Sequence, residues 1–182
     1  MWLREPGCSH RSYFCDTSAV DTDEVNVLLR PLLRENLLAA AHMAASTSGR
    51  RTDDLLKIYE RDFERTEGVA QVGAFVNDEL IGFGRVNRVE FEESQVNQAP
   101  SGWYLLGVNV LPTYRRRGIA TLLTNWRIDW LADRAEQLFY VANPANVASI
   151  RLHEAFGFVR TQENVFMPPG LGGLTLFCRR VE

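Results

Sequence analysis

Cysteine is scarce in this chain, since its 182 residues include three, Cys8, Cys15 and Cys178. An odd number at this spacing fits neither a disulfide framework nor a zinc site, and reduced thiols are typical of cytoplasmic proteins. No apolar run reaches the roughly 18 residues that a membrane-spanning helix needs. The first residues, MWLREPGCSHRSYF, also lack the apolar core of a secretory signal. These absences predict a cytoplasmic protein with no resident metal and no membrane partner.

An excess of basic charge is missing as well. Lysine and arginine together number 20 against 23 acidic residues, which gives a net charge of -3. Such a chain lacks the strongly basic footprint of a nucleic-acid-binding protein. Its apolar share of 46% and charged share of 24% are ordinary for a globular protein, and it has no internal repeat. The length suits one domain, so we predict a single domain over residues 1–182, in which residues 1–20 carry no readable pattern.

Two stretches in the first half of the chain have helical spacing. Asp21 and Glu24 resemble a capping box, and the apolar residues that follow recur at helical intervals, at Val25, Leu28, Leu29 and Leu32. Pro31 conflicts with this helix and marks a kink or a break between two shorter helices, in a region that ends at the segment ASTSG. A second helix is predicted from Thr52 to shortly before Gly68, with an apolar face made of Leu55, Leu56, Tyr59 and Phe63.

The pattern then changes to a period of two residues, which is typical of strands. VAQVGAF and LIGFGRVNRVEF are predicted strands joined by a turn at Asn77–Asp78, and WYLLGVNVL is a third. A helix is predicted from Arg117, followed by the short strand LFYVA, and its apolar stripe is Ile119, Leu122, Leu123, Trp126 and Trp130. A strand, a helix and a strand in succession predict a parallel crossover. With two closing strands, FVRTQENVFM and LTLFCRRV, we predict an α/β fold with a mixed, mostly antiparallel central sheet flanked by helices.

The segment RRRGIA lies between a predicted strand and a predicted helix. At such a junction the first backbone N–H groups of the helix are free to cradle a phosphate. Gly118 lets a ligand approach the backbone because it has no Cβ, and Arg115 to Arg117 add charge-assisted hydrogen bonds. The lysine and the hydroxyl of a nucleotide P-loop are missing. Taken alone, the segment is better explained as a solvated basic turn.

A second polar pattern begins 28 residues beyond Gly118, in NVASIRLHEAFGF. Asn146, Ser149 and His153 fall on one stripe of the predicted helix, at i, i+3 and i+7. Each has an ordinary explanation: Asn146 caps the helix, Ser149 bonds its own backbone, and His153 is solvated. The alternative is a polar helix edge that lines a binding site, and the stripe of three favours it.

The two segments together resemble the GCN5-related N-acetyltransferase (GNAT) superfamily. Arg115–Ala120 matches its R/Q-x-x-G-x-G/A motif for acetyl-CoA, and its later N-x-x-S-x-x-L-x-x-x-x-G-F motif is matched by Asn146, Ser149, Leu152, Gly157 and Phe158. Their order, their separation and the preceding strand also fit, over about residues 70 to 160. The resemblance implies a single-domain GNAT fold in which the sheet is splayed beside the turn Arg115–Gly118, called the arginine turn below. It also implies acetyl-CoA as cosubstrate and no metal.

In that superfamily the pantetheine arm of acetyl-CoA lies in a wedge between two parallel strands and bonds main-chain groups. The resemblance implies that Val108 and Val110 offer these groups here. It also implies that backbone amides in the arginine turn hold the pyrophosphate and that the later motif lines the cofactor channel. The implied cofactor-binding residues are Val108, Val110, Arg115, Arg116, Arg117, Gly118, Ile119, Ala120, Thr121, Asn146 and Ser149.

The implied reaction is attack of a neutral amine on the thioester. The family often has LYE where this chain has LHE, so His153 replaces the tyrosine that donates a proton to the departing sulfur. An imidazole near its usual pKa of about 6.5 keeps that role; otherwise His153 is a spectator. The general base of the reaction is expected among the acidic residues at the end of the second clear strand. An ordinary solvated strand end explains these residues equally well. The candidates for the base are Glu90, Glu92 and Glu93, and those for positioning are Tyr104 and Asn109.

The acceptor implied by the resemblance is a primary amine. Acidic residues over Glu90–Glu93 and Asp21–Glu24 favour a small cationic acceptor, such as an aminoglycoside antibiotic or a polyamine. A protein lysine or N-terminus is the alternative acceptor, and a non-catalytic acetyl-CoA sensor is the alternative outside enzymes. The sequence does not decide whether the closing strands form a homodimer interface.

Overall fold

The computed structural model describes residues 18–22, 25–91, 96–167 and 171–181, which form eight strands and four α-helices. In chain order these are β1 (Ser18–Thr22), β2 (Val25–Pro31), α1 (Leu37–Ser48), α2 (Thr52–Glu64), β3 (Val69–Val76), β4 (Glu79–Val89), β5 (Gly102–Val110), α3 (Ile119–Leu131), β6 (Gln137–Ala142), α4 (Val147–Ala155), β7 (Val159–Met167) and β8 (Leu171–Arg180). Short 3₁₀ turns, Arg34–Asn36 and Pro112–Tyr114, precede α1 and α3. None of the helices in these ranges is both long and apolar enough to cross a bilayer.

One sheet takes in all eight strands, in the order β1-β2-β3-β4-β5-β6-β8-β7. Each neighbouring pair is antiparallel except β5 and β6, which are parallel and are linked by α3. The predicted mixed sheet and its parallel crossover are thereby confirmed. The predicted turn between β3 and β4 is present too, because Asn77 and Asp78 have φ values of 48° and 64°, the left-handed pair that a type I′ hairpin turn requires.

The helix predicted from Asp21 is wrong, because this stretch forms the hairpin of β1 and β2. Asp21 pairs with Asn26 across the hairpin. Val27 and Leu29 pack on the face of the sheet that α3 covers, whereas Leu28 packs on the face that α1 covers. A strand that is buried on both faces has apolar residues at consecutive positions, and these satisfy a helical spacing as well.

Helices cover both faces of the sheet. On one face α1 and α2 pack against Phe75, Leu80 and Phe83. On the other face α3 packs through Ile119 and Leu123. The second helix predicted from the sequence is confirmed as α2, which buries the inner part of its predicted apolar face at Leu55 and Tyr59 and leaves Phe63 exposed.

The parallel strands β5 and β6 pair over only two residues, Trp103 with Leu138 and Tyr104 with Phe139. Beyond this point the two strands continue without pairing with each other. Each of them therefore has an open edge, and a wedge forms between them. The predicted splay of the sheet is thereby confirmed.

A bulge in β5 accompanies the splay. Gly84 of β4 pairs with Val108 and the next residue, Arg85, pairs with Leu106, so Gly107 is left without a partner on β4. Gly107 has a φ of 48°, a left-handed conformation that glycine adopts without the clash of a Cβ. Because a bulge bends and twists the strand that carries it, this one is placed to turn the second half of β5 away from β6.

A buried ion pair ties α2 to β4. Asp62 accepts hydrogen bonds from Arg85 Nη1 at 2.7 Å and from Asn87 Nδ2 at 3.1 Å, and its side chain is fully buried. The Arg85 guanidinium also lies over the Tyr59 ring, 4.5 Å from the ring centroid. A buried charge is tolerated only while its partner is present. The pair therefore holds the Arg85 side chain in place on the face of the sheet that α2 covers.

Replacing Asp62 with alanine should lower the free energy of unfolding by about 3–5 kcal/mol, because the Arg85 guanidinium is left almost buried without a counter-charge. The matched control is Glu163→Ala, which breaks an exposed pair with Arg160 and should cost less than about 1 kcal/mol. Urea unfolding followed by circular dichroism measures both variants. Equal losses in the two would contradict the structural role of Asp62.

Candidate active site

The divergence of β5 and β6 opens a cavity of about 1460 Å³. Sites for a single small molecule are typically about 300–1,000 Å³, so this cavity has room for two reactants. Its walls come from both faces of the sheet, with α1 and α2 on one side and the start of α3 and of α4 on the other. Since α3 follows β5 and α4 follows β6, both helices begin at the open end of the wedge.

The arginine turn forms one wall of the cavity. Gly118 is the N-cap of α3 with a φ of 75°, and a Cβ at this position would meet no atom within 4 Å. The first backbone N–H groups of α3 have no partner within the helix. Arg115 and Arg116 line the cavity beside them, whereas Arg117 lies over the Tyr114 ring, 5.9 Å from its centroid, and is outside the lining.

Arg115 also fastens the turn to β5, because its Nε donates to the Val110 carbonyl at 3.1 Å. The next backbone group, Leu111 N–H, donates to the Ile81 carbonyl at 2.9 Å, toward β4. Backbone groups alternate in direction along a strand, so those of Val110 and Val108 point away from β4. Both residues line the cavity, and their main-chain groups therefore face the wedge.

The start of α4 forms the opposite wall. Asn146 is the N-cap, and its Oδ1 accepts a hydrogen bond from Ser149 N–H at 3.3 Å. Asn146, Ser149 and His153 all line the cavity. The ordinary capping role of Asn146 is therefore present, and the polar stripe also faces the arginine turn across one space.

The part of the chain that carries both motifs matches a known family. A profile of the acetyltransferase (GNAT) family covers residues 35–158. The chain belongs to this family. GNAT enzymes use acetyl-CoA, so the chain is an acetyl-CoA-dependent N-acetyltransferase. No curated protein matches it significantly in sequence.

Solved structures with the same fold share little sequence with this GNAT chain. The ribosomal-protein-S18-alanine N-acetyltransferase from Escherichia coli has a TM-score of 0.65 at 19% identity, covering 86% of this chain and 94% of that one. NAA60 from Arabidopsis thaliana in complex with acetyl-CoA has a TM-score of 0.66 at 18% identity, over 85% and 98%. The structure of yncA from Salmonella typhimurium with its cofactor acetyl-CoA has a TM-score of 0.67 at 19% identity, over 86% and 95%. At these identities the likeness shows the fold.

The cavity fits the family's cosubstrate. It combines free N–H groups at a helix start, flanking arginines and an open strand edge, which suit a phosphate and an extended amide-bearing arm. Apart from Arg117, the cofactor residues that the sequence suggested all line it, namely Val108, Val110, Arg115, Arg116, Gly118, Ile119, Ala120, Thr121, Asn146 and Ser149. Their individual roles toward acetyl-CoA stay predictions.

His153 is buried rather than solvated. It is 1% exposed, and its ring stacks on that of Tyr140 with the centroids 3.6 Å apart. Its Nδ1 lies 2.8 Å from the Ser149 carbonyl oxygen, which can only accept, so Nδ1 carries the hydrogen. Its Nε2 is buried with no hydrogen-bond partner among the described residues. Burial lowers the pKa of His153 to about 4. The imidazole is therefore neutral near pH 7, which argues against the imidazolium acid that the sequence suggested.

Tyr140, on β6, is a cavity residue that sequence reasoning missed. Its hydroxyl donates to Ser149 Oγ at 2.6 Å, and burial raises the pKa of Tyr140. Ser149 Oγ thereby accepts one hydrogen bond and keeps its own hydrogen for another partner. The motif pointed to Ser149, but a tyrosine within LFYVA carries no signal beyond that of an ordinary core residue. Together the two hydroxyls form a neutral donor pair in the cavity wall.

Arg127, on α3, is a second lining residue that was missed, and it is fully buried. Its Nε donates to the Leu123 carbonyl at 3.1 Å and its Nη2 to Thr124 Oγ1 at 2.8 Å. No carboxylate of a described residue pairs with it. Burial lowers the pKa of Arg127 to about 9, so it stays charged at neutral pH. The predicted apolar stripe ran through Trp126 and Trp130, whereas the buried face of α3 includes this cation.

Carboxylates are missing from the described lining of the cavity. Glu92 and Glu93, the predicted bases, lie outside the described residues, as does Glu24. Glu90 is exposed, pairs with Arg88 at 3.2 Å and does not line the cavity. The ordinary explanation of a solvated strand end therefore holds for Glu90, and a basic role for Glu92 or Glu93 stays a prediction. Within the described ranges, no group of three or more His, Cys, Asp or Glu side chains is arranged to hold a metal ion.

The two residues predicted to position substrate differ in their placement. Tyr104 is fully buried, donates to the Pro100 carbonyl at 2.5 Å and does not line the cavity, so it acts as a core residue. Asn109 lines the cavity, and its Oδ1 accepts a hydrogen bond from Thr47 Oγ1 at 2.8 Å. This bond joins the end of α1 to β5 and anchors the α1 side of the cavity.

Burial of a neutral His153 predicts a pH dependence of stability. In the unfolded chain the imidazole takes up a proton near its usual pKa of 6.5, whereas the pKa in the folded protein is about 4. The contribution of His153 to the free energy of unfolding should therefore be fully present above about pH 6.5. It should be lost as the pH drops from there toward 4, by up to about 3 kcal/mol. Urea unfolding at stepped pH measures this loss.

The control for the pH dependence is His153→Gln, in which this part of the slope should disappear. An NMR titration provides a direct check, since the ring signals of His153 should not change through the neutral range. A titration midpoint near pH 6.5 would show that the folded protein does not keep this imidazole buried and neutral.

Proposed function

We propose that this enzyme transfers an acetyl group from acetyl-CoA to a primary amine and that its two motifs hold acetyl-CoA between them. One observation carries the proposal: the arginine turn and the polar start of α4 face a single cavity where β5 and β6 diverge. A ligand with a phosphate end and a long amide-bearing arm needs this combination of anion-binding turn and open strand edge.

The pyrophosphate is assigned to the start of α3. The free N–H groups and the positive end of the helix dipole favour an anion there, and Arg115 and Arg116 add charged donors. The arm is assigned to the open edge of β5, with the main-chain groups of Val108 and Val110 as partners. A bound phosphate also explains why cations gather at a helix start, where on their own they face the dipole unfavourably.

Acetyl-CoA supplies the acetyl group as an activated thioester. The protein has to hold a neutral amine close to that group and to stabilise charge on the departing sulfur. We assign the second task to the Ser149 hydroxyl, which Tyr140 holds by a hydrogen bond. His153 is assigned a positioning role, since it bonds the Ser149 carbonyl and stacks on the Tyr140 ring.

Two classes of acceptor follow from different observations. The structure from Escherichia coli is that of an N-acetyltransferase for the alanine of ribosomal protein S18, so a peptide N-terminus is one candidate. A small amine is the other, and the size of the cavity accommodates it. The polycation expected from the acidic segments has no matching carboxylate in the described lining, so the charge of the cavity does not support an aminoglycoside or a polyamine.

Acetyl transfer is tested by thiol release from acetyl-CoA in the presence of a panel of small amines and short peptides. We expect release with at least one of them. Binding of acetyl-CoA without release from any acceptor would favour a sensor over an enzyme.

Two variants of nearly equal shape test the anion site. Gly118→Asp should weaken acetyl-CoA binding by at least about tenfold, because its carboxylate would repel the phosphates. Gly118→Asn is the matched control, since asparagine tolerates the left-handed conformation and carries no charge, and it should keep most of the affinity. A Cβ at this position meets no atom within 4 Å, so both variants should fold.

Isothermal titration calorimetry with acetyl-CoA measures both affinities, and circular dichroism verifies the fold. If the asparagine and aspartate variants lose the same affinity, the loss is steric and the anion site is not where we place it.

A further inference from the structure

The arginines that line the cavity are not matched by acidic residues in its described lining. Its described lining contains no aspartate or glutamate but six arginines, Arg50, Arg85, Arg115, Arg116, Arg127 and Arg151. Arg115 and Arg116 form the turn assigned to the pyrophosphate, and Arg151 lies on α4. Arg127, buried on α3, donates hydrogen bonds to Leu123 and Thr124 within the protein. The remaining pair, Arg50 and Arg85, belongs to neither helix start.

Arg50 and Arg85 lie on the face of the sheet that α1 and α2 cover. Arg50 follows Gly49, the C-cap of α1, and Arg85 reaches from β4 to the Tyr59 ring of α2. Both act on the Tyr59 hydroxyl, since burial raises the pKa of Tyr59 and the charges of Arg85 and Arg50 oppose that rise. Both arginines line the cavity on this side of the sheet, whereas the proposed acetyl-CoA site lies at the start of α3 and along the open edge of β5.

Both arginines have hydrogen-bonding capacity that the described residues do not use. Arg85 donates from Nη1 to Asp62, but its Nε is buried with no hydrogen-bond partner in those ranges. Arg50 is exposed and forms no ion pair with a described residue. Because Asp62 balances the charge of Arg85, the charge of Arg50 is left unbalanced.

We propose that the acceptor is a small amine that also carries an anionic group, a carboxylate or a phosphate, and that Arg50 binds this group beside the Arg85 guanidinium, which lines the same cavity. The inference rests on the proposed function and specifies its acceptor. Guanidinium groups bind carboxylate and phosphate oxygens through charge-assisted hydrogen bonds. A polycation in the same place would face repulsion with no lining carboxylate among the described residues to offset it.

The acceptor class is tested with pairs of amines that differ in the anionic group. The carboxylate arm compares 4-aminobutyrate with n-butylamine, and the phosphate arm compares O-phosphoethanolamine with ethanolamine. Spermidine and a short peptide complete the panel. Thiol release should give a kcat/KM at least about tenfold higher for the anionic member of one pair, as expected for a hydrogen bond to a charged group. The pair that shows the preference identifies the anion.

Arg50→Gln should raise the KM for the preferred anionic amine by about tenfold and leave that for its uncharged counterpart unchanged. The affinity for acetyl-CoA should not change either. Arg51→Gln is the matched control, because Arg51 is the next residue, is exposed, pairs with Asp53 and lies outside the cavity lining. Arg50→Lys should retain part of the preference, since it keeps the charge but loses the paired donors.

The outcomes separate this inference from the function on which it rests. Turnover of neutral or cationic amines at least as efficient as that of the anionic ones would overturn the inference alone. So would turnover of the peptide above every small amine, or identical behaviour of the Arg50→Gln and Arg51→Gln variants. Absence of thiol release with every acceptor would overturn the proposed function and the inference together.

Discussion

The short parallel pairing between β5 and β6 is the constraint on which the site depends. Where two neighbouring strands part, their facing main-chain groups lose their partners and become available to a ligand. Here α3 leaves from β5 and α4 from β6, and the wedge between the strands keeps the two helix starts apart. Had the strands stayed paired to their ends, the main-chain groups of Val108 and Val110 would bond β6 and would not be available to a ligand.

Burial sets the protonation states in the wall of that wedge. Desolvation disfavours charge, so the same effect lowers the pKa of His153 and raises that of Tyr140, and both rings are neutral near pH 7. Arg127 keeps its charge although burial lowers its pKa to about 9. The wall thus joins neutral donors to a buried cation, an environment that suits an anionic ligand and a sulfur that departs with negative charge.

The GNAT motifs contribute lining residues on one face of the sheet but not on the other. On the side of α3 and α4, the GNAT motifs supply much of the cavity lining, to which Tyr140 and Arg127 are added from outside the motifs. On the side of α1 and α2, the lining residues Arg50, Arg85 and Asn109 belong to neither motif. Family membership therefore establishes which acetyl donor is used, whereas our proposal for the acceptor rests on side chains outside the motifs.

The sequence by itself determined the features whose signal is local. A left-handed pair such as Asn77–Asp78, a glycine at a strand-to-helix junction such as Gly118, and alternating strands are each visible within a few neighbouring residues, because steric rules act between neighbours. Only the tertiary structure decided which side chains are buried. A polar helix stripe does not show that the ring of Tyr140 covers His153, and a helical arginine does not show that Arg127 points into the core. The β1–β2 hairpin was mistaken for a helix for the same reason, since both faces of β2 are covered by elements distant in the chain.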